Sequence, residues 1–292
     1  MLDMPMVTLH FAGYQPARSV HTRGLHVLRD FVAERAGGAV SITVTDNIVA
    51  HGRKAADLLT MVETGELDGC YFASSYLAAR VPALSVFDEP FQAAPRDATF
   101  AALDADMGAS LAEAVAGATP YRVLGYWDNG IRHISNGVRP IRSPADCVGL
   151  SLRTLDNAQH QAAFGRLGFR PVFIDVADLA RAVAERAVDA QENPLTNMVN
   201  FGLQAHHKFV SLTGHLLGIA LLLVNRARFD ALAADARTAL ADAARASEAA
   251  QRALAAAEDA ACMTLLAEAG VAVLGPEAID LAAFRTAAVS HG

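Results

Sequence analysis

Two stretches of this chain switch in the same order between the two-residue repeat of a strand and the three-to-four-residue repeat of a helix. That alternation restricts the fold to an α/β arrangement built on parallel strands. In the first stretch Val7–Ala12 reads as a strand, and a loop over 13–20 leads into a helix over about 22–35 that puts Leu25, Leu28 and Val32 on one face. Gly37 and Gly38 stop it. Val40, Ile42 and Val44 then alternate with Ser41, Thr43 and Thr45 as a second strand. A helix over 54–63 carries Ala55, Leu58, Leu59 and Val62 at helical spacing, closes at Gly65, and precedes a strand over 67–72. The second stretch repeats the pattern with a strand over 149–154, a helix over 157–167 ended by Gly168, a strand over 171–174, a helix over 176–186 and a strand over 187–191. The segments VETGELDG (62–69) and VAERAVDA (183–190) share one layout. Such duplication predicts two small α/β lobes with a cleft between them. The alanine-rich, charge-spaced region over 227–269 reads as long helix and as scaffold.

With 292 residues the chain suffices for two domains. Its net charge of −7 supplies no basic field, and its cations are almost all arginine, with lysine at Lys54 and Lys208 alone, so nucleic acid is not expected as a partner. Cys70, Cys147 and Cys262 are odd in number and far apart, which predicts buried free thiols rather than a disulfide framework or a metal site. The longest apolar run, Leu216–Val224, is too short to span a bilayer. The start, Met1 to Met6, lacks a basic region followed by an apolar one, so no signal peptide is expected within this sequence.

Dinucleotide, phosphate-loop, zinc-protease, serine-hydrolase and calcium-loop motifs are all absent. His206-His207 lacks metal-ligand spacing, since adjacent side chains diverge, and Asp88-Glu89 ahead of Pro90 reads as a solvated or capping turn. The informative charge is in GLSLRT (149–154). Leu150 and Leu152 share one strand face, so Arg153 points to the other, at the carboxyl end of its strand, where open α/β sheets place their ligands. A guanidinium keeps its charge on burial and offers a carboxylate two parallel hydrogen bonds.

The segments YWDNGIRHISNGVRPIRSPADCVGLSLRT (126–154) and VDAQENPLTN (188–197), with VETGELDG and VFDEPF (86–91) in the same order, resemble the solute-binding proteins of tripartite ATP-independent periplasmic (TRAP) transporters, in the C4-dicarboxylate-binding branch. The likeness runs over about residues 7–270. It implies a two-lobed periplasmic-binding-protein fold, a Venus flytrap of parallel and mixed sheets flanked by helices, with a long helix bridging the lobes. Lobe I would take 1–127 and 213–252, lobe II 128–212 and 253–292, with a hinge between them. The resemblance further implies a periplasmic, non-enzymatic monomer without cofactor or metal, whose partners are a small carboxylate and the TRAP membrane permease subunits. Arg153 would receive the ligand carboxylate, assisted by Arg132 and Asn193. Arg132 could instead pair with a carboxylate such as Asp128 or Asp146. Asn193 before Pro194 has the form of a helix N-cap, with Asn197 and Asn200 near its face.

Further ligand-contacting candidates are Tyr14 and Gln15 after the first strand, Tyr71 and Phe72 after ELDG, Trp127 and His133 around Arg132, Asp156 past Arg153, and Phe173 or Val176 in the second lobe. Sialic-acid-binding relatives carry an acidic residue shortly before the turn at 65–68, where this chain has Arg53, Lys54 and Ala55. That departure weighs against sialic acid, and a basic residue there, facing the cleft, would suit a second carboxylate. Two rival readings stay open at this level: a binding protein feeding a sensor kinase, and a cytosolic α/β enzyme using His133 or His215 as a general base.

Overall fold

The computed structural model describes residues 7–92 and 94–289; the expectation about a leader over 1–6 lies outside the described residues. In chain order the strands are β1 (Val7–Ala12), β2 (Val40–Thr45), β3 (Gly69–Ala73), β4 (Tyr121–Asn136), β5 (Ser151–Thr154), β6 (Arg170–Phe173), β7 (Ala190–Pro194), β8 (Phe209–Asn225) and β9 (Ala272–Leu274). The helices are α1 (Val20–Arg35), α2 (Asp57–Thr64), α3 (Arg96–Leu103), α4 (Asp106–Ala118), α5 (Ala158–Arg166), α6 (Val176–Ala184), α7 (Leu195–Asn200), α8 (Arg226–Asp230), α9 (Ala234–Glu268) and α10 (Leu281–Ala288). The chain packs into two compact units. Unit 1 comprises the chain up to Ser74, Phe100–Asp128 and Ile219–Ala256; unit 2 comprises Ser75–Thr99, Asn129–Gly218 and the chain from Ala257. The long strands β4 and β8 and the 35-residue helix α9 each begin in one unit and end in the other.

In unit 1, β1 is paired in parallel with β2 on one side and β3 on the other, and β3 runs antiparallel to the carboxyl half of β8. Helix α1 begins where Ser19 Oγ accepts from the backbone N–H groups of His21 and Thr22, and it buries the stripe Leu25, Leu28 and Val32. Helix α2 buries Leu58 and Val62 and ends at Gly65, whose φ of 78° only glycine adopts freely.

In unit 2, β5 pairs in parallel with β6 and β7, and β7 runs antiparallel to the end of β4. One core gathers Ile134, Leu152 and Ala190 with Phe164 and Phe284. A second gathers Leu179, Met198, Val210 and Leu266. β5 starts at Ser151 rather than at Gly149, because Gly149 turns the backbone at φ 83°. Ser75–Thr99 packs in unit 2 instead of with the first lobe as the sequence suggested. The reason is Asp88, which is fully buried and accepts from Ser75 Oγ, from Asn157 Nδ2 at 2.9 Å and from His160 Nε2 at 3.0 Å. The solvated turn expected there is thus a buried carboxylate that ties this segment to α5.

Candidate ligand-binding site

The cross-strand register of unit 2 assembles a row of polar side chains. Arg153 on β5 is opposite Gln191 on β7, and Gln191 is opposite Ser135 on β4. Partners in register share a sheet face, so the three lie on one side, with Asn193 and His133 in the next row. Arg153 does lie opposite Leu152, as alternation requires, yet it is only 1 % exposed. Its Nε donates to the carbonyl of Ile174 at 2.8 Å. The Tyr76 hydroxyl hydrogen-bonds the guanidinium; burial raises the pKa of that phenol, with the Arg153 cation acting against the rise. Arg153 Nη2 is buried and has no partner among the described residues. A cationic donor in that condition carries a desolvation penalty of about 1–3 kcal/mol or more, which an anionic acceptor would remove.

Arg132 lies on the other sheet face and is committed to a different carboxylate from the two the sequence offered. Its Nε meets Glu192 Oε2 at 2.5 Å, and its Nη2 meets Glu192 Oε1 at 2.7 Å and the Glu192 carbonyl at 2.8 Å. Asp146 instead caps the turn at Ser143. Burial opposes ionisation of Glu192, but the Arg132 cation and the hydrogen bonds from His215 and Arg132 outweigh it and hold the carboxyl well below the usual carboxylate range. His215 Nε2 lies 3.2 Å from Glu192 Oε2 and Nδ1 2.8 Å from Thr213 Oγ1. A carboxylate only accepts, so Nε2 carries the proton and Nδ1 accepts from the threonine. Burial lowers the pKa of this histidine, keeping it neutral.

Asn193 is the penultimate residue of β7, because the ladder with β4 continues to Pro194; the helix position it was expected to cap starts only at Leu195 and spans six residues. Its side chain is nevertheless fixed. Oδ1 accepts from Arg132 Nη2 and from Asn197 Nδ2, each at 3.2 Å, and Nδ2 donates to Gln191 Oε1 at 2.6 Å. Gln191 in turn donates to Ser135 Oγ, which pairs with His207 Nδ1 at 3.0 Å. One N–H of the Asn193 amide is not used by Gln191.

The family model for bacterial extracellular solute-binding protein, family 7 (DctP), matches residues 11–290. The chain belongs to this family. Among curated relatives it is similar to the 2,3-diketo-L-gulonate-binding periplasmic protein YiaO of Escherichia coli K12, 29% identical over 245 residues, 84% of this chain and 74% of the relative. A TRAP periplasmic solute-binding protein from Sulfitobacter sp. NAS-14.1 with bound β-D-galacturonate superposes with a TM-score of 0.91 at 25% identity, covering 97% of this chain and 92% of that one. Another, from Roseobacter denitrificans with bound β-D-glucuronate, gives 0.90 at 26% identity over 96% and 91%.

The other residues singled out for this family-7 chain fall into separate environments. In unit 1, Tyr71, Phe72 and Trp127 are completely buried, and Tyr14 packs against Tyr71 and Phe72 with ring centroids 5.2 and 5.3 Å apart. Gln15 is buried, its backbone carbonyl accepting from Thr22 Oγ1. His21, which sequence reasoning missed, stacks on Tyr71 at 5.0 Å, and burial lowers its pKa to about 4. Neither of its ring nitrogens, nor Trp127 Nε1, has a partner among the described residues. In unit 2, His133 Nδ1 accepts from the Gly214 N–H at 3.0 Å, and burial, aided by His215 and Arg96, lowers its pKa to about 3. Asp156 is exposed and lines a hollow of 390 Å³ with Ser75, Tyr76 and Asn157. Phe173 is 48% exposed on the edge strand β6, and Val176 is partly exposed at the start of α6. Glu192 and Tyr76 are the polar residues around the arginines that the sequence did not flag. The adjacency of Glu192 to Asn193 in QENP was the available signal; Tyr76, in a short turn after β3, offered none.

Proposed function

We propose that this chain is the periplasmic solute-binding subunit of a TRAP transporter: as a monomer and without chemical conversion, it takes an organic acid by its carboxylate on Arg153 and delivers it to the membrane permease subunits. The observation that carries the reading is Arg153 itself, buried, permanently charged, and left with an unpartnered Nη2. Asn193 supplies a neutral N–H one row along the ladder, and Arg132 acts chiefly by holding Asn193. The ligands of these relatives, 2,3-diketo-L-gulonate, galacturonate and glucuronate, each bear a carboxylate. The enzyme alternative loses its candidate bases, because both ring nitrogens of His215 are engaged and Nδ1 of His133 already accepts a backbone N–H. No helix among the described residues is long and apolar enough to cross a membrane.

Thermal unfolding against a panel of organic acids tests the proposal. An acid present at a hundred times its Kd adds about 2.7 kcal/mol of stability and is recovered unchanged. Absence of stabilisation by every acid, or turnover of one, overturns it.

A further inference from the structure

We infer that Asp88, acting through Ser75 and Asn157, is a positioning residue for ligand binding: it sets the Tyr76 hydroxyl against the Arg153 guanidinium without itself touching the ligand. The inference rests on the assignment of Arg153 as the carboxylate anchor. The guanidinium is held from two directions, by the Ile174 carbonyl 2.8 Å from Nε and by the Tyr76 hydroxyl. Ile174 directly follows β6, which pairs with β5, so the sheet itself sets the first contact. Tyr76 stands outside the sheet and in neither core of unit 2. The second contact therefore depends on how its neighbour Ser75 is held.

Ser75 is held at two atoms. Its Oγ donates to Asp88 Oδ1 at 2.5 Å, and its carbonyl accepts from Asn157 Nδ2 at 3.2 Å. The same Nδ2 reaches Asp88 Oδ2 at 2.9 Å, and His160 Nε2 meets Oδ1 at 3.0 Å. Asn157 Oδ1 accepts from the His160 N–H and so caps α5, four residues after Arg153 on β5. One strand-to-helix connection thus carries the anchor at its start and the clasp at its end. Ser75 and Tyr76 are bound to it twice, Tyr76 at Arg153 and Ser75 at Asn157 and, through Asp88, at His160. A carboxylate suits this post because it only accepts and takes all three donors at once, whereas an amide would turn an N–H towards one of them. Asp88 is fully buried, so water does not compete for those donors. An anchor fixed before the acid arrives loses less freedom on binding, and loosening its support lowers affinity.

Titration calorimetry with D-glucuronate, D-galacturonate and succinate tests this on wild type, Ser75→Ala, Ser75→Thr, Tyr76→Phe and the double variant Ser75→Ala, Tyr76→Phe. Threonine keeps the hydroxyl, and its added methyl has room because Ser75 lines a hollow of 390 Å³. The expected result is a loss of about fivefold in affinity for Ser75→Ala and recovery to within about twofold of wild type for Ser75→Thr. The double variant is expected to bind no more weakly than Tyr76→Phe alone, because both changes act on one contact. A serine with a structural role alone would lower the unfolding midpoint and leave affinity unchanged. Wild-type affinity in Ser75→Ala, a threonine variant as weak as the alanine one, or losses that add in the double variant overturn the positioning role. If Arg153→Ala abolishes binding in those cases, the anchor stands and only the positioning falls; if Arg153→Ala binds as wild type, the anchor itself is wrong. No binding of any of the three acids by wild type overturns the anchor and this inference together. Asp88→Asn is expected to weaken binding in the same direction as Ser75→Ala; should that variant not fold, the Ser75 pair decides.

Discussion

Arg132 and Glu192 meet as a two-pronged ion pair, Nε to Oε2 at 2.5 Å and Nη2 to Oε1 at 2.7 Å, at 5% and 0% exposure. With His215 on the same carboxylate and Asn193 on the same guanidinium, the pair braces the end of β7. Arg132→Ala strands Glu192 as a buried unpaired carboxylate. The expected cost is about 3–5 kcal/mol of stability. The double variant Arg132→Ala, Glu192→Ala is expected to cost less than the sum of the two single changes. Chemical denaturation of the three variants measures this; a single variant within about 0.5 kcal/mol of wild type would contradict the bracing role.

Tyr76 touches Arg153 but belongs to neither core. Tyr76→Phe removes one hydroxyl and leaves the ring. Ligand affinity is expected to fall about tenfold or more, the worth of one hydrogen bond to a charged group. An unchanged affinity in calorimetry would exclude the hydroxyl from the site.

The buried histidines make stability depend on pH. Burial lowers His21 and His207 from 6.5 to about 4, so the folded protein refuses protons that the unfolded chain accepts. Between pH 6.5 and 4 the unfolded state therefore holds more protons, and stability declines as pH falls, by up to about 1.4 kcal/mol per unit for each histidine. Glu192 adds a loss of the same sign at stronger acid, because its folded carboxylate stays ionised after its unfolded counterpart has protonated. Unfolding midpoints measured across this window should drop in wild type and drop less in His21→Gln; identical profiles would remove His21 from the account.

The alternation of strands and helices was readable because it is a local property: Val40, Ile42 and Val44, or Leu25, Leu28 and Val32, carry their period within one element. Arg153, Arg132 and Asn193 were singled out by their motifs. What was not readable depended on partners distant in the chain. Burial of Arg153 is decided by Ile174 and Tyr76, and the identity of the Arg132 partner by a ladder that brings residue 192 beside 134. Asn193-Pro194 has the local form of a helix start, and pairing with β4 overrides it. Asp88 has the local form of a solvated turn, and three donors from Ser75, Asn157 and His160 bury it.

The central claim is that Arg153 holds the carboxylate, and the most direct test is calorimetric titration of wild type, Arg153→Ala and Arg153→Lys with an acid that stabilises the wild type. The account predicts a loss of about 2–5 kcal/mol for Arg153→Ala and strong impairment for Arg153→Lys, whose ammonium keeps the charge but lacks the planar fork. Wild-type affinity in either variant would contradict it.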